Sequence, residues 1–183
     1  MYVVTGGAGF IGSSLVRALL AEGERVVVLD DFSTGKRANL EGLDGQRLHV
    51  VEADILAGFD AEMSRLDPAW GPPKAIVHLA AQVSVVESLK DPLADAQRNH
   101  CATLHVLEYA KAHAGVRVVL ASSAATYGDV DEVPVREASA RWPLSPYGIH
   151  KFSSELALRA YAEVHEVPTV SLRFFNVYGP PVS

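Results

Sequence analysis

The sequence has one cysteine, Cys101, and it has neither a cluster of basic residues nor a long apolar run. A single cysteine excludes an internal disulfide and a cysteine metal cluster. The densest basic spot is Lys36-Arg37 and the formal net charge is −6, so nucleic acid is not an expected partner. No apolar stretch reaches the ~18 residues of a membrane helix, and the N-terminus is typical of a strand rather than a signal peptide. We therefore expect a cytoplasmic protein with no membrane partner.

The sequence does contain a regular alternation of short β-branched runs and helical patterns. The predicted strands are Tyr2–Thr5, Arg25–Leu29, Leu48–Glu52, Ala75–Leu79, Val116–Ala121 and Thr169–Phe174. The predicted helices are Phe10–Ala21, a weak one near Gly58–Leu66, Leu93–His113 and Tyr147–Val164. Nearly continuous apolar strands are typical of a parallel sheet covered by helices. The alternation predicts one domain over residues 1–183, an α/β doubly wound parallel sheet (Rossmann fold) of about six strands with helices on both faces.

A glycine-rich stretch, T-G-G-A-G-F-I-G from Thr5, joins the first predicted strand to the first predicted helix. Gly6, Gly9 and Gly12 have the spacing G-x-x-G-x-x-G. In this setting glycines allow a tight turn, close approach of a pyrophosphate to the backbone, and contact between helix and strand. The pattern alone is weak evidence, and an ordinary loose turn is the alternative.

The second predicted strand is followed by Asp30-Asp31, about 20 residues after the glycine turn. A carboxylate at this point can accept hydrogen bonds from the adenosine ribose and repels a 2′-phosphate, which favours NAD over NADP. A simple turn cap is the alternative for Asp30, and Lys36-Arg37 is the one feature that favours NADP. Together with the glycines, the acidic pair predicts a dinucleotide site.

Candidate catalytic residues follow the fifth predicted strand. Ser122 and Ser123 end that strand, and Tyr147 and Lys151 stand at i and i+4 in the last predicted helix, on one face. A lysine ammonium and a cationic nicotinamide both favour tyrosinate, so Tyr147, with an ordinary pKa near ~10, could act as a base near neutrality. A tyrosine–lysine pair is common by chance, but it gains weight after a glycine turn and a serine-ended strand.

These motifs together resemble the extended short-chain dehydrogenase/reductases, and most closely the nucleotide-sugar epimerases of the UDP-glucose 4-epimerase type. The motifs that carry the resemblance run through the whole chain in the family's order: T-G-G-A-G-F-I-G, Asp30-Asp31-Phe-Ser-Thr-Gly35, His78-Leu-Ala-Ala-Gln82, Ser-Ser-Ala-Ala-Thr-Tyr-Gly128, Tyr147-x-x-x-Lys151 and Arg173-Phe-Phe-Asn-Val-Tyr-Gly-Pro180. The resemblance implies NAD as cofactor and a UDP-sugar as substrate.

The resemblance also implies which residues form the site. Ser123, Tyr147 and Lys151 match the catalytic residues, and Ser123, Tyr147 and Asn176 match the positions that touch substrate. The positions that match NAD contacts are Gly6, Gly9, Phe10, Ile11, Gly12, Asp30, Asp31, Ser33, Thr34, Gly35, Asp54, Ile55, Leu79, Ala80, Ala81, Gln82, Asn99, Tyr147, Lys151 and Phe175. Val83 departs from epimerases that have a lysine there, which puts one cofactor contact in doubt.

Within the family, Ala124-Ala125 stand where the sugar 4,6-dehydratases have an Asp-Glu pair, and Gln82 stands where they usually have Glu. Elimination of water therefore lacks its acid and base, and 4-epimerisation through a transient 4-keto sugar is favoured. UDP-glucose and UDP-galactose are the expected substrates. A UDP-N-acetylglucosamine or UDP-glucuronate 4-epimerase remains an alternative.

Family members usually run well beyond 300 residues, with a C-terminal part that grips the nucleotide of the substrate. That part is absent from these 183 residues. We therefore expect NAD binding with very low UDP-sugar turnover, and a catalytically silent NAD-binding module is the alternative to an enzyme. No metal site is expected, because the histidines lack metal-ligand spacing, and His78 is interpreted as structural.

A homodimer is expected through the Leu93–His113 and Tyr147–Val164 helices. The first helix has two apolar stripes, Ala102, Val106 and Tyr109 on one side and Cys101, Leu104 and Leu107 on the other. The second is apolar around most of its circumference, at Phe152, Leu156, Leu158, Tyr161 and Val164. In the family these two helices pair across a two-fold axis.

The acidic pair generates a prediction about cofactor preference. The chain should bind NAD more tightly than NADP, because Asp30 accepts from the ribose and repels a 2′-phosphate. Asp30→Ala should narrow the preference, measured as the ratio of the two dissociation constants by titration calorimetry. Equal or tighter binding of NADP by the unmodified chain would contradict the assignment.

Overall fold

A six-stranded parallel sheet forms the centre of the protein. The computed structural model describes residues 1–66, 68–130 and 132–179. Its strands are β1 (Tyr2–Thr5), β2 (Val26–Asp30), β3 (Leu48–Glu52), β4 (Ala75–His78), β5 (Arg117–Ser123) and β6 (Thr169–Phe174). They lie in the order β3-β2-β1-β4-β5-β6, and every neighbouring pair is parallel. The predicted fold is confirmed, with strand bounds shifted by one or two residues.

The helices agree with prediction except in the segment after β4. They are α1 (Phe10–Ala21), α2 (Phe59–Ser64), α3 (Val85–Lys90), α4 (Pro92–Ala96), α5 (Ala102–Ala112) and α6 (Pro146–His165). A π-helical turn at Gln97–Cys101 joins α4 to α5, so the predicted Leu93–His113 helix is not a uniform α-helix. Helix α3 was not predicted; it is a short helix whose cap, Ser84, accepts a hydrogen bond from the Glu87 amide.

The two faces of the sheet are packed unequally. On one face Val3 and Val27 pack in a cluster that includes residues of α2, α5 and α6. On the other face Val4 and Val28 pack with residues of α1. Leu172 of β6 remains 44% exposed on its strand. Helices therefore lie on both faces, as predicted, but β6 keeps exposed apolar surface.

Both apolar stripes predicted for α5 are largely covered within the chain. Leu107 is fully buried, and Leu104 and Cys101 are half-buried. The reason is that α5 contacts α2, α6 and the strands β4 and β5, so more than one of its sides is covered. Among the described helices, none has the length and apolarity required to cross a bilayer.

Candidate functional site

A cavity of about 1290 Å³ lies at the carboxyl edge of the sheet. Its walls come from the segments that follow all six strands, from Gly6 after β1 to Val177 after β6. Open α/β sheets bind their ligands at this edge, where the strand order reverses. The volume exceeds the roughly 300–1,000 Å³ of pockets for small ligands, so it suits an extended ligand.

The structure brings nearly all of the predicted site residues to this cavity. The following line it: Gly6, Gly9, Phe10, Ile11, Gly12, Asp30, Asp31, Ser33, Thr34, Gly35, Asp54, Ile55, Leu79, Ala80, Ala81, Gln82, Ser123, Tyr147, Lys151, Phe175 and Asn176. Asn99 does not line it. Its side chain is buried, and its amide donates to the Gln82 carbonyl at 3.0 Å and to Asp95 Oδ1 at 2.9 Å.

The glycine turn needs its glycines for two different physical reasons. Gly6 has a φ of +69°, and a Cβ there would lie 2.7 Å from the Ala80 nitrogen. A Cβ at Gly12 would lie 2.2 Å from the Gly6 oxygen, so α1 can approach the turn only without a side chain. At Gly9 a Cβ would meet only the Gly6 oxygen, at 3.2 Å. The space over Gly9 and the N-terminus of α1 therefore forms a cradle that fits a pyrophosphate.

Asp30 lines the cavity and has the turn-capping role that the sequence left open. Its carboxylate accepts hydrogen bonds from the Ala8 amide at 2.8 Å and the Phe32 amide at 2.9 Å, and its role toward the ribose stays a prediction. It therefore ties the glycine turn to the loop after β2. Asp30→Ala removes both bonds, at about 1–3 kcal/mol for each amide left without a partner. The NAD-to-NADP ratio is consequently a better readout for this variant than NAD affinity alone.

The other two carboxylates of the predicted site also cap turns. Asp31 accepts from the Ser33 amide at 2.9 Å and from the Ser33 hydroxyl at 2.6 Å. Asp54 accepts from the Leu56 amide at 2.9 Å and caps the 3₁₀ turn Ile55–Ala57. These local bonds fix the side of the cavity that follows β2 and β3.

Tyr147, Lys151 and Ser123 converge where β5 ends and α6 begins. Ser145 caps α6 by accepting from the Gly148 amide at 3.1 Å. A Cβ at Gly148 would lie 2.6 Å from the Ala125 oxygen, so α6 begins directly against the turn after Ser123. Lys151 Nζ donates to the Ala121 carbonyl at 3.0 Å and lies 6.0 Å from the centre of the Tyr147 ring.

Burial controls the protonation of this pair. Burial lowers the pKa of Lys151 to about 8, while the negative charge of Asp95 raises it. Burial raises the pKa of Tyr147, and the hydrogen bond with Ser123 lowers it. In the protein without cofactor, Lys151 is bonded to a backbone carbonyl and burial favours the phenol form of Tyr147. The sequence-based expectation named two cations, the Lys151 ammonium and a bound nicotinamide, so a tyrosinate base near neutrality stays a prediction for the protein with cofactor.

His78 lies at the end of β4 and is fully buried. Its Nδ1 lies 2.8 Å from Thr5 Oγ1. Burial, with a smaller contribution from the charge of Lys151, lowers its pKa to about 3. His78 is thus neutral, buried and hydrogen-bonded, and its structural role stays a prediction.

Two buried carboxylates near the site were missed in the sequence. Glu155 accepts from Ser122 Oγ at 2.5 Å and from Arg173 Nη2 at 2.8 Å, which joins α6 to β5 and β6. Burial would raise the pKa of Glu155, but the bonds from Arg173 and Ser122 lower it below its ordinary value. Asp95 is the second. Helical spacing could have found both, since Glu155 is at i+4 from Lys151 and Asp95 is at i−4 from Asn99.

Comparison with known proteins agrees with this geometry. The model of the NAD dependent epimerase/dehydratase family matches residues 2–182. The chain is 40% identical to the UDP-glucose 4-epimerase of Mycolicibacterium smegmatis, over 97% of this chain and 56% of that protein.

Solved structures give the same picture. A UDP-N-acetylglucosamine 4-epimerase from Methanobrevibacter ruminantium, in complex with UDP-N-acetylmuramic acid, superposes with a TM-score of 0.89 at 36% identity, covering 98% of this chain and 56% of that one. The UDP-glucose 4-epimerase of Thermus thermophilus in complex with NAD gives 0.87 at 37% identity, covering 98% and 56%. The chain thus spans about half the length of the proteins that it matches.

The buried lysine generates a prediction about pH. The folded pKa of Lys151 lies below the value of 10.5 for an exposed lysine, so between about 8 and 10.5 the unfolded chain binds more protons. The free energy of unfolding should therefore gain a contribution of up to about 3 kcal/mol as the pH rises through this range. Lys151→Met should remove that gain, measured by urea unfolding at several pH values. Lys111→Met, at an exposed lysine, is the control, and equal pH slopes for all three proteins would contradict the prediction.

Proposed function

The chain belongs to the NAD dependent epimerase/dehydratase family, and on this premise we propose that it carries the cofactor site and catalytic residues of an NAD-dependent UDP-sugar 4-epimerase. The observation that carries the proposal is the convergence of Ser123, Tyr147 and Lys151 in the same cavity as the glycine turn and Asp30. One cavity thus holds a place for a dinucleotide and a group able to move a proton.

The residues present fit NAD. The pyrophosphate would lie over Gly9 at the N-terminus of α1, where a side chain is absent and the helix dipole favours negative charge. The hydroxyl groups of the adenosine ribose would donate hydrogen bonds to the carboxylate of Asp30, a residue that lines the cavity. The nicotinamide end would then lie toward Tyr147 and Lys151. NAD bound there would supply a hydride acceptor and donor for C4 of the sugar.

Tyr147 and Ser123 are the groups that act on the sugar. Tyr147 takes the proton of the C4 hydroxyl and returns it after the keto sugar has turned. Ser123 forms a hydrogen bond with the same sugar oxygen. In the protein alone, a hydrogen bond from its hydroxyl lowers the pKa of Tyr147. The Lys151 ammonium stabilises the tyrosinate as it forms, because opposite charges within a buried site favour each other.

Elimination of water is not favoured as the reaction of this site. Ala124-Ala125, which follow Ser123, have no acid or base to offer. The Gln82 amide donates to the Ser84 carbonyl at 2.8 Å and to Asp95 Oδ1 at 2.9 Å, so it is engaged within the wall. Proton and hydride transfer at C4 remains the chemistry that these residues can perform.

We propose UDP-glucose and UDP-galactose as the substrate pair, which would place the protein in cytoplasmic nucleotide-sugar and galactose metabolism. Support comes from similar proteins named UDP-glucose 4-epimerase. A similar structure is named UDP-N-acetylglucosamine 4-epimerase, so that substrate is a second candidate. The alternative is a module that binds NAD without catalysis.

The test separates binding from chemistry. The chain should bind NAD, and incubation with UDP-glucose or UDP-galactose should reduce bound nicotinamide slowly, in line with the very low turnover expected, followed by its near-ultraviolet absorbance. Tyr147→Phe should slow this reduction further, by about 10²–10⁴-fold, the usual range for loss of a general base. Tyr178→Phe is the matched control, because Tyr178 is 93% exposed. NAD binding without any reduction would favour the silent module, and no NAD binding would overturn the proposal.

We also propose a homodimer through α6 and the α4–α5 segment. Because the apolar side chains of α5 are largely buried, the exposed apolar surface that supports a dimer is on α6. Leu158 of this helix is buried within the chain, but Leu156 and Val164 are 49% and 71% exposed. A second copy could cover this apolar surface.

Sedimentation velocity at micromolar concentration tests the dimer. The unmodified chain should sediment as a dimer, and Leu156→Glu should shift it to a monomer because a charge would be buried without a partner. Leu172→Glu, on exposed β6, introduces the same charge away from α6 and should leave the dimer intact. A monomeric unmodified chain, or equal effects of the two substitutions, would contradict the proposed interface.

A further inference from the structure

Asp95 is a buried carboxylate at the cavity wall for which the proposed reaction gives no role. Its side chain has no exposed surface, although the residue lines the cavity beside Lys151. An ionised carboxylate is costly to bury unless hydrogen bonds and opposite charge compensate it. Its contacts therefore indicate what it does.

The carboxylate of Asp95 joins three separate segments. Oδ1 accepts from Gln82 Nε2 at 2.9 Å and from Asn99 Nδ2 at 2.9 Å. Oδ2 lies 2.6 Å from His150 Nδ1. Since an ionised carboxylate only accepts, Nδ1 carries the hydrogen. One side chain thus connects the loop after β4, the π-helical turn and the first turns of α6.

The contact with His150 falls at a critical place on α6. His150 lies between Tyr147 and Lys151 in the chain, so fixing its ring fixes the helical turn that carries both. On the opposite side, Asn99 Nδ2 also donates to the Gln82 carbonyl at 3.0 Å, which closes the network behind the cavity wall. The two sides of the cavity are therefore held together at Asp95.

The charge of Asp95 acts on the same pair. It raises the pKa of Lys151 against the larger effect of burial, and it adds to the burial that raises the pKa of Tyr147. The titratable groups that face it are Tyr147, His150 and Lys151, all on α6. His100 faces His150 from the π-helical turn, and burial, with a smaller contribution from His150, lowers the pKa of His100.

We propose that Asp95 is a positioning residue of the site: through its contact with His150 it fixes the turn of α6 that carries Tyr147 and Lys151, and its carboxylate is a compensating anion for the buried Lys151 ammonium. The proposal rests on the proposed function for the use of this pair in proton transfer. The hydrogen bonds of Asp95 and the effect of its charge on the pKa of Lys151 do not depend on a bound cofactor.

The test follows the titration of Lys151 directly. Carbon-13 labelling of lysine Cε gives an NMR signal for each lysine, and Lys151→Met identifies the signal of interest. Asp95→Asn keeps the shape of the side chain and removes its charge, so the Lys151 signal should titrate at a lower pH than in the unmodified chain. Glu163→Gln removes a carboxylate from an exposed part of α6 and should leave the titration unchanged. An unchanged or higher midpoint in Asp95→Asn would overturn the proposal.

A second variant separates position from charge. His150→Ala keeps the charge of Asp95 but removes the bond to α6, so the Lys151 midpoint should not fall, while NAD should bind about tenfold more weakly. Unchanged NAD affinity in this variant would overturn the positioning role, including where Asp95→Asn fails to fold. If the unmodified chain does not bind NAD, the proposed function fails, whereas the NMR titration still decides the role of Asp95.

Discussion

The cavity depends on the position of β1 between β2 and β4. Thr5, the last residue of β1, pairs with Leu29 on one side and with His78 on the other. Its buried hydroxyl lies 2.8 Å from His78 Nδ1 and accepts from the Leu79 and Ala80 amides at 3.2 Å each. The ends of β1 and β4 are therefore held side by side. The crevice between the two segments that follow these strands is where a dinucleotide fits.

Burial of charge is the second constraint, because a charged side chain inside the protein needs a compensating partner. Helix α6 carries two such side chains. Near the start of the helix, Lys151 is compensated by the Ala121 carbonyl and by the charge of Asp95. One turn later, Glu155 is compensated by Arg173, at 2.8 Å, and by Ser122. Removing one partner from such a pair leaves an uncompensated buried charge, which is far more costly than the pair itself. The helix that carries Tyr147 and Lys151 is thus fixed to β5, β6 and the cavity wall.

Several features could not be read from the pattern of residues. The spacing of the two apolar stripes on α5 does not say which of them is covered within the chain, and Leu107 is buried because α2 and α6 flank α5. The π-helical turn at Gln97–Cys101 changes the helical phase before α5, and hydrophobic periodicity does not specify such a turn. Helix α3 is too short for periodicity to indicate. The i, i+4 spacing places Lys151 on the same face as Tyr147 but does not say that its ammonium bonds the Ala121 carbonyl.

The sequence by itself determined the sheet, the glycine turn and the tyrosine–lysine pair, because strand patterns, glycine spacing and i, i+4 spacing are local properties of the chain. Most of the other residues around the cavity were named only through the resemblance to a family. Only the tertiary structure decided that Asp30 also ties Ala8 to the β2 loop, that Asn99 lies behind the wall, and that Asp95 bonds to His150. These contacts join residues far apart in the chain. Their burial and pKa values depend on what the folded chain packs around them, which no local pattern records.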